Sequence, residues 1–195
     1  MVSIGGTGRA LVAIVALAYC SSPGAVAFAA PVGARSSTVL PCGDQIGSST
    51  APEPELTALG PVALPTRFAL GAVLLPNEPD PNARFWAKTG LDIKAGASFE
   101  LVVPPEWRGR LSIAWGNGAP RTTRLQVAAC RWMASPSQSS PARAWLGFAG
   151  GYWVRNPACV SLLVRAGHQT RRVHIGIGAA CPGQSPPLVH TPSAS

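Results

Sequence analysis

Beyond residue 66 the chain alternates apolar and polar side chains at every second position, in short runs broken by Gly, Pro and Asn. Leu91 and Ile93 alternate with Asp92 and Lys94, and Ala95-Gly96 then turns the chain. Phe99, Leu101 and Val103 repeat the pattern before Pro104-Pro105. Leu111, Ile113 and Trp115 repeat it again and stop at Gly116-Asn117-Gly118. Leu125 and Val127 lead to Cys130. Val160, Leu162 and Val164, then Val173, Ile175 and Ile177, flank the turn Ala166-Gly167-His168-Gln169. Phe68 to Leu75 is apolar almost throughout and reads as one strand ending at Pro76-Asn77. A period of two with turn residues between runs predicts antiparallel strands that bury one face. No stretch of helical length carries a 3.6-residue stripe free of Gly and Pro. The expected fold is mainly β: a small antiparallel β-sandwich, Ig-like or jelly-roll-like.

The ends of the chain follow other rules. Arg9 precedes a wholly apolar run from Ala10 to Ala18 that is too short to span a bilayer, which needs about 20 apolar residues. Two A-x-A sites follow, at Ala25-Val26-Ala27 and Ala27-Phe28-Ala29. This order predicts a cleaved secretory signal over residues 1–29, with cleavage after Ala29. Leu17-Ala18-Tyr19-Cys20 resembles a bacterial lipobox, but Tyr19 stands where that motif takes a small residue. Membrane anchoring is therefore expected only if Cys20 is lipidated. Residues 30–65 are rich in Pro, Ser, Ala and Gly and predict a flexible arm. The sandwich is expected over 66–181, and residues 182–195 predict a disordered tail.

Removal of the signal leaves Cys42, Cys130, Cys159 and Cys181. An even count in an exported chain predicts two disulfides. The expected hairpin between Cys159 and Cys181 favours that pair together with Cys42–Cys130. Cys42–Cys181 with Cys130–Cys159 is the competing arrangement. No two of them stand at C-x-x-C spacing and no His lies beside them, so no metal site is expected.

Composition adds an asymmetry. All eight acidic residues lie between Asp44 and Glu106, whereas from Trp107 onward there are ten arginines and no carboxylate side chain. Arginine stays charged at any ordinary pH, so the second half is expected to attract anions. Against this stands an Arg-over-Lys bias of composition, which raises Arg everywhere yet does not remove Asp and Glu from one half. Six tryptophans add aromatic surface. Trp115 is in phase with the core. Trp107, next to Arg108 and Arg110 in a Pro/Gly-rich loop, is one candidate contact site. Tyr152 and Trp153, after Gly150-Gly151 and before Arg155, are the other, with core packing as the rival reading for Trp153.

The chemistry-bearing motifs are absent: no G-x-S-x-G, H-E-x-x-H, P-loop or dinucleotide fingerprint. His168, His174 and His190 are scattered, and no pair stands out among Glu78, Asp80, Asp92, Glu100 and Glu106. The expectation is an exported, non-catalytic binding module with no cofactor. Its binding residues are Trp107, Arg108, Arg110, Tyr152, Trp153 and Arg155, and its ligand is an anionic envelope polymer, a lipid head or an acidic protein. Export argues against nucleic acid. Two other classes compete: a secreted hydrolase with a site assembled from scattered residues, and a protein-partner module such as an inhibitor, which would expose a contiguous apolar patch.

Overall fold

A computed structural model describes residues 36–132 and 145–187. The expected signal, Cys20, Arg143, His190 and the last residues of the tail lie outside them. In chain order the strands are β1 (Thr38–Val39), β2 (Gln45–Ser49), β3 (Thr57–Ala58), β4 (Val62–Leu64), β5 (Ala69–Leu70), β6 (Val73–Leu74) and β7 (Phe85–Lys94). Then come β8 (Phe99–Val102), β9 (Leu111–Trp115), β10 (Arg124–Val127), β11 (Trp145–Val154), β12 (Ala158–Ala166) and β13 (Gln169–Ile177). Among the described residues helix is confined to two 3-10 turns, Cys42–Asp44 and Pro105–Trp107.

The strands form two sheets around one core. One sheet has the order β1-β10-β8-β12-β13-β5. The other runs β2-β11-β7-β4-β3, with β6 added on β7 and β9 on β11. Pairing is antiparallel except that β1 lies parallel to β10 and β5 parallel to β13. The apolar positions of the expected alternation turn inward, while two of the polar positions between them, Asp92 and Ser161, are buried as well. Leu91, Ile93, Leu101, Ile113, Trp115, Leu125, Val160, Leu162, Ile175 and Ile177 all point inward and are fully buried.

Two disulfides close the molecule, Cys42–Cys130 and Cys159–Cys181, the pairing that the hairpin favoured. They fit a chain that folds in an oxidising environment. Among the described residues no helix is long and apolar enough to cross a membrane.

Three expectations need correction. Within the expected arm, residues 36–65 are not loose, because β1 to β4 lie among them and Leu40, Leu59, Val62 and Leu64 join the core. The chain just after Cys181 is also held: Ser185 pairs with Phe68, and Gln184 Nε2 donates to the Thr66 carbonyl at 2.9 Å. The apolar run Phe68–Leu75 is not one strand. Its first half, β5, joins one sheet, and its second half, β6, joins the other.

The centre of the seven-stranded sheet is the pair β7–β11, ten residues each and in register from Trp145–Lys94 to Val154–Phe85. On its free side β11 carries β2 against its first residues and β9 against its last. Gly150 and Gly151 sit where β11 takes up β9. A Cβ on Gly150 would meet Trp115 Cδ1 at 2.6 Å, with the Ala114 carbonyl oxygen closer still. A Cβ on Gly151 would meet Trp86 Nε1 at 2.9 Å. The two glycines make room for one tryptophan on each face of the strand.

Candidate functional site

The loop after β8 is built by its own turn hydrogen bonds. Pro104 and Pro105 stop the strand because a proline has no N–H for the ladder. The Trp107 N–H donates to the Pro104 carbonyl at 2.9 Å, Arg108 to Pro105 at 3.2 Å and Arg110 to Trp107 at 3.1 Å. Gly109 takes φ +69°, a left-handed conformation that a side chain resists. The result seats Trp107 half-buried against the core and leaves Arg108 and Arg110 exposed. The Arg110 guanidinium lies 4.6 Å above the Trp107 ring centroid, and it also donates to the Glu106 carbonyl. Such a contact shields the ring and fixes the cation without neutralising it. Arg155 joins the group from the end of β11, its N–H donating to the Arg110 carbonyl at 3.1 Å.

Arg108 lines a hollow of about 500 Å³ with Ser36, Ser37, Val102, Val103, Thr123 and Arg124. No carboxylate lines it. Arg110 lines a smaller one, of about 200 Å³, with Asp80, Asn82, Ser112 and Thr123. Thr123 belongs to both, so the two hollows adjoin.

Part of the acidic half folds back onto the basic one. Arg121 bonds Glu78 at 3.0 Å and lies 3.9 Å from Asp80, Arg124 is 3.9 Å from Glu100, and Arg172 pairs with Glu106. Hydrogen bonding from Arg172 holds the Glu106 carboxyl below its ordinary range. Burial pushes Glu78 up, but the Arg121 hydrogen bond and charge and the Asp80 N–H outweigh it and leave the group lowered. Among the described residues, Arg108, Arg110, Arg131, Arg155, Arg165 and Arg171 form no ion pair with a carboxylate. The cationic excess survives folding, and Arg108, Arg110 and Arg155, all exposed, lie on neighbouring backbone.

The second expected contact site divides. Tyr152 is fully buried, edge-on to Trp115 with ring centroids 5.2 Å apart, and burial pushes its hydroxyl ionisation strongly up. It belongs to the core, because alternation along β11 turns it inward. Trp153 points the other way and stacks on Trp86 at 6.1 Å, half-buried on the outer face of the seven-stranded sheet. Trp107, Arg108, Arg110 and Arg155 therefore come together, while Tyr152 and Trp153 do not join them. Arg124 and Thr123 were not expected at the site. An outward Arg on a strand looks like any solvated position until its neighbour across the loop is known.

Acid–base chemistry finds little support in the geometry. His174 Nδ1 lies 3.4 Å from Ser161 Oγ, with no carboxylate bonded to the ring to orient it. Asp80 Oδ1 accepts the Asn82 N–H and Glu78 Oε1 accepts the Asp80 N–H, so both carboxylates hold their own loop. Among the described residues no three His, Cys, Asp or Glu side chains gather as metal ligands.

No protein-family model, curated protein or solved structure matches the chain.

Proposed function

We propose that this is an exported, non-catalytic module that binds an anionic polymer of the cell envelope through the Arg108–Arg124 hollow and the neighbouring Arg110 and Arg155. One observation carries the reading: Arg108, Arg124, Ser36, Ser37 and Thr123 line a single hollow with Val102 and Val103 and with no carboxylate residue in the lining, Glu100 standing outside it at 3.9 Å from Arg124. Guanidinium forks and hydroxyl donors are the groups that recognise phosphate or carboxylate oxygens. Further cations beside the hollow suit a polymer with repeated charges better than one small anion. Export is supported by the two disulfides and by the apolar run Ala10–Ala18 behind Arg9.

The test is co-sedimentation of the oxidised protein with purified cell walls across a salt series, with walls stripped of their anionic chains as the control. Binding is expected at low salt, weakening steadily as salt screens the contacts. It should be lost on stripped walls and in Arg108→Ala/Arg124→Ala. Retention that ignores salt, or that survives the double substitution unchanged, refutes the proposal.

A further inference from the structure

The crossing between the sheets leaves a second recess, on β7 and away from the arginine hollow. A strand that stays in one sheet hides every second side chain. The run Phe68–Leu74 changes sheet at Gly71-Ala72, so its alternation breaks and apolar side chains are left outside. Val73 is 62% exposed and Leu74 46%, two of the few large apolar side chains on the surface. Beside them lies a groove of about 440 Å³ lined by Phe68, Ala69, Leu70, Gly71, Val73, Trp86 and Lys88. That volume lies within the range of roughly 300–1,000 Å³ usual for small-molecule sites, which are mostly apolar with a few placed polar groups.

We infer that this groove binds a single acyl chain bearing a carboxylate head, with the chain along Leu70, Val73 and Trp86 and the head on the Lys88 ammonium. Charge complementarity fixes the head: Lys88 is the one charged residue in the lining, it is exposed, and no carboxylate stands beside it there. The apolar walls fix the tail. A sugar fits poorly, because the only other side-chain donor in the lining, Trp86 Nε1, is buried and so beyond a ligand's reach. A polyanion fits poorly too, because it would meet one cation and six uncharged walls. This site is independent of the arginine hollow and stands or falls without it.

The experiment titrates the oxidised chain with sodium octanoate, decanoate and dodecanoate, each below its micelle concentration, followed by calorimetry and tryptophan fluorescence. Saturable one-to-one binding is expected, tightening about two- to four-fold for each added methylene the groove can bury. Lys88→Met is expected to weaken decanoate binding by roughly ten-fold or more, as loss of a charge-assisted hydrogen bond does. A Cβ at position 71 meets nothing within 4 Å, so the backbone there accepts a side chain, and Gly71→Trp is expected to block the groove. Circular dichroism confirms that both variants are folded. Absence of saturable binding, affinity independent of chain length, or decanol binding as tightly as decanoate each overturns the inference. So does a dimer formed through Val73 and Leu74 that decanoate fails to dissociate.

Discussion

Replacing Gly150 by alanine adds one methyl group to an interior with no space for it. The new carbon would stand 2.6 Å from Trp115 Cδ1 and 2.7 Å from Trp115 Cα, against ordinary contacts of 3.4 Å and more. The obstacle is mostly backbone of the paired strand β9, so no rotamer change relieves it. Trp115 is itself fixed, fully buried with its Nε1–H donating to the Thr89 carbonyl at 3.3 Å. Relief requires β9 to move off β11. Overpacking of this kind costs about 1–3 kcal/mol and sometimes more, and the backbone clash puts Gly150→Ala at the upper end, about 3 kcal/mol. For a body of this size that lowers Tm by roughly 6–12 °C. Gly90 is the internal control. It pairs with Ala149 on β11, and a Cβ there meets nothing within 4 Å. Gly90→Ala should therefore be neutral or stabilise by up to about 1 kcal/mol through the unfolded chain. Urea unfolding of the oxidised proteins, followed by tryptophan fluorescence, measures both. A Gly150→Ala variant within about 1 kcal/mol of the parent, or a Gly90→Ala variant equally damaged, refutes the packing argument.

Other perturbations separate the remaining contributions. The Cys42–Cys130 bridge closes 88 residues and Cys159–Cys181 closes 22, so Cys→Ser pairs at the two should cost about 4.6 and 3.4 kcal/mol in urea unfolding; equal costs would refute loop closure as the source. The Tyr152 hydroxyl is buried with no partner, so Tyr152→Phe should be neutral or stabilise by up to about 1 kcal/mol, and a clear loss would reveal a missed hydrogen bond. Glu78 is lowered from its ordinary 4.5, so its contribution is present above that value and lost as pH falls through the folded one. Glu78→Gln should accordingly flatten the fall in stability below pH 4.5, and an unchanged slope would remove the Arg121 pair from the account.

What the sequence made legible was whatever alternated. β8, β10, β12 and β13 turn most of their large apolar side chains to one face, so a period of two survives in their residues; β9 is buried on both faces, but its inward Leu111, Ile113 and Trp115 alternate with the small Ser112 and Ala114. β11 is hidden for a specific reason: Gly150-Gly151 reads as punctuation, whereas each glycine lies against a neighbouring strand's backbone and a tryptophan, Trp115 on one face and Trp86 on the other. β4 was missed because Val62, Ala63 and Leu64 are buried together, which removes the alternation. β1 and β3 are two residues long, too short to show any period. At the candidate site, the Pro-Pro and Gly punctuation exposed the Trp107–Arg110 loop. The partnership of Arg108 with Arg124 depends on how the loop folds against β10, and sixteen positions of sequence separation conceal it. Tyr152 was misplaced by the same two glycines that hid its strand.

The parallel pairings set an order of events during synthesis. Thr38 waits for Leu125 and Ala69 waits for Gly176, so neither β1 nor β5 has its sheet partner until most of the chain has emerged. β2 likewise depends on β11. A chain synthesised from its N-terminus therefore presents strand segments without neighbours for most of its synthesis, and every such edge is open to pairing with another molecule. Formation of Cys42–Cys130 next to the β1–β10 pair ends that exposure for β1, while β2 still waits for β11. A variant that cannot form this bridge should show its defect first as aggregation during production, before any loss is seen in the folded protein.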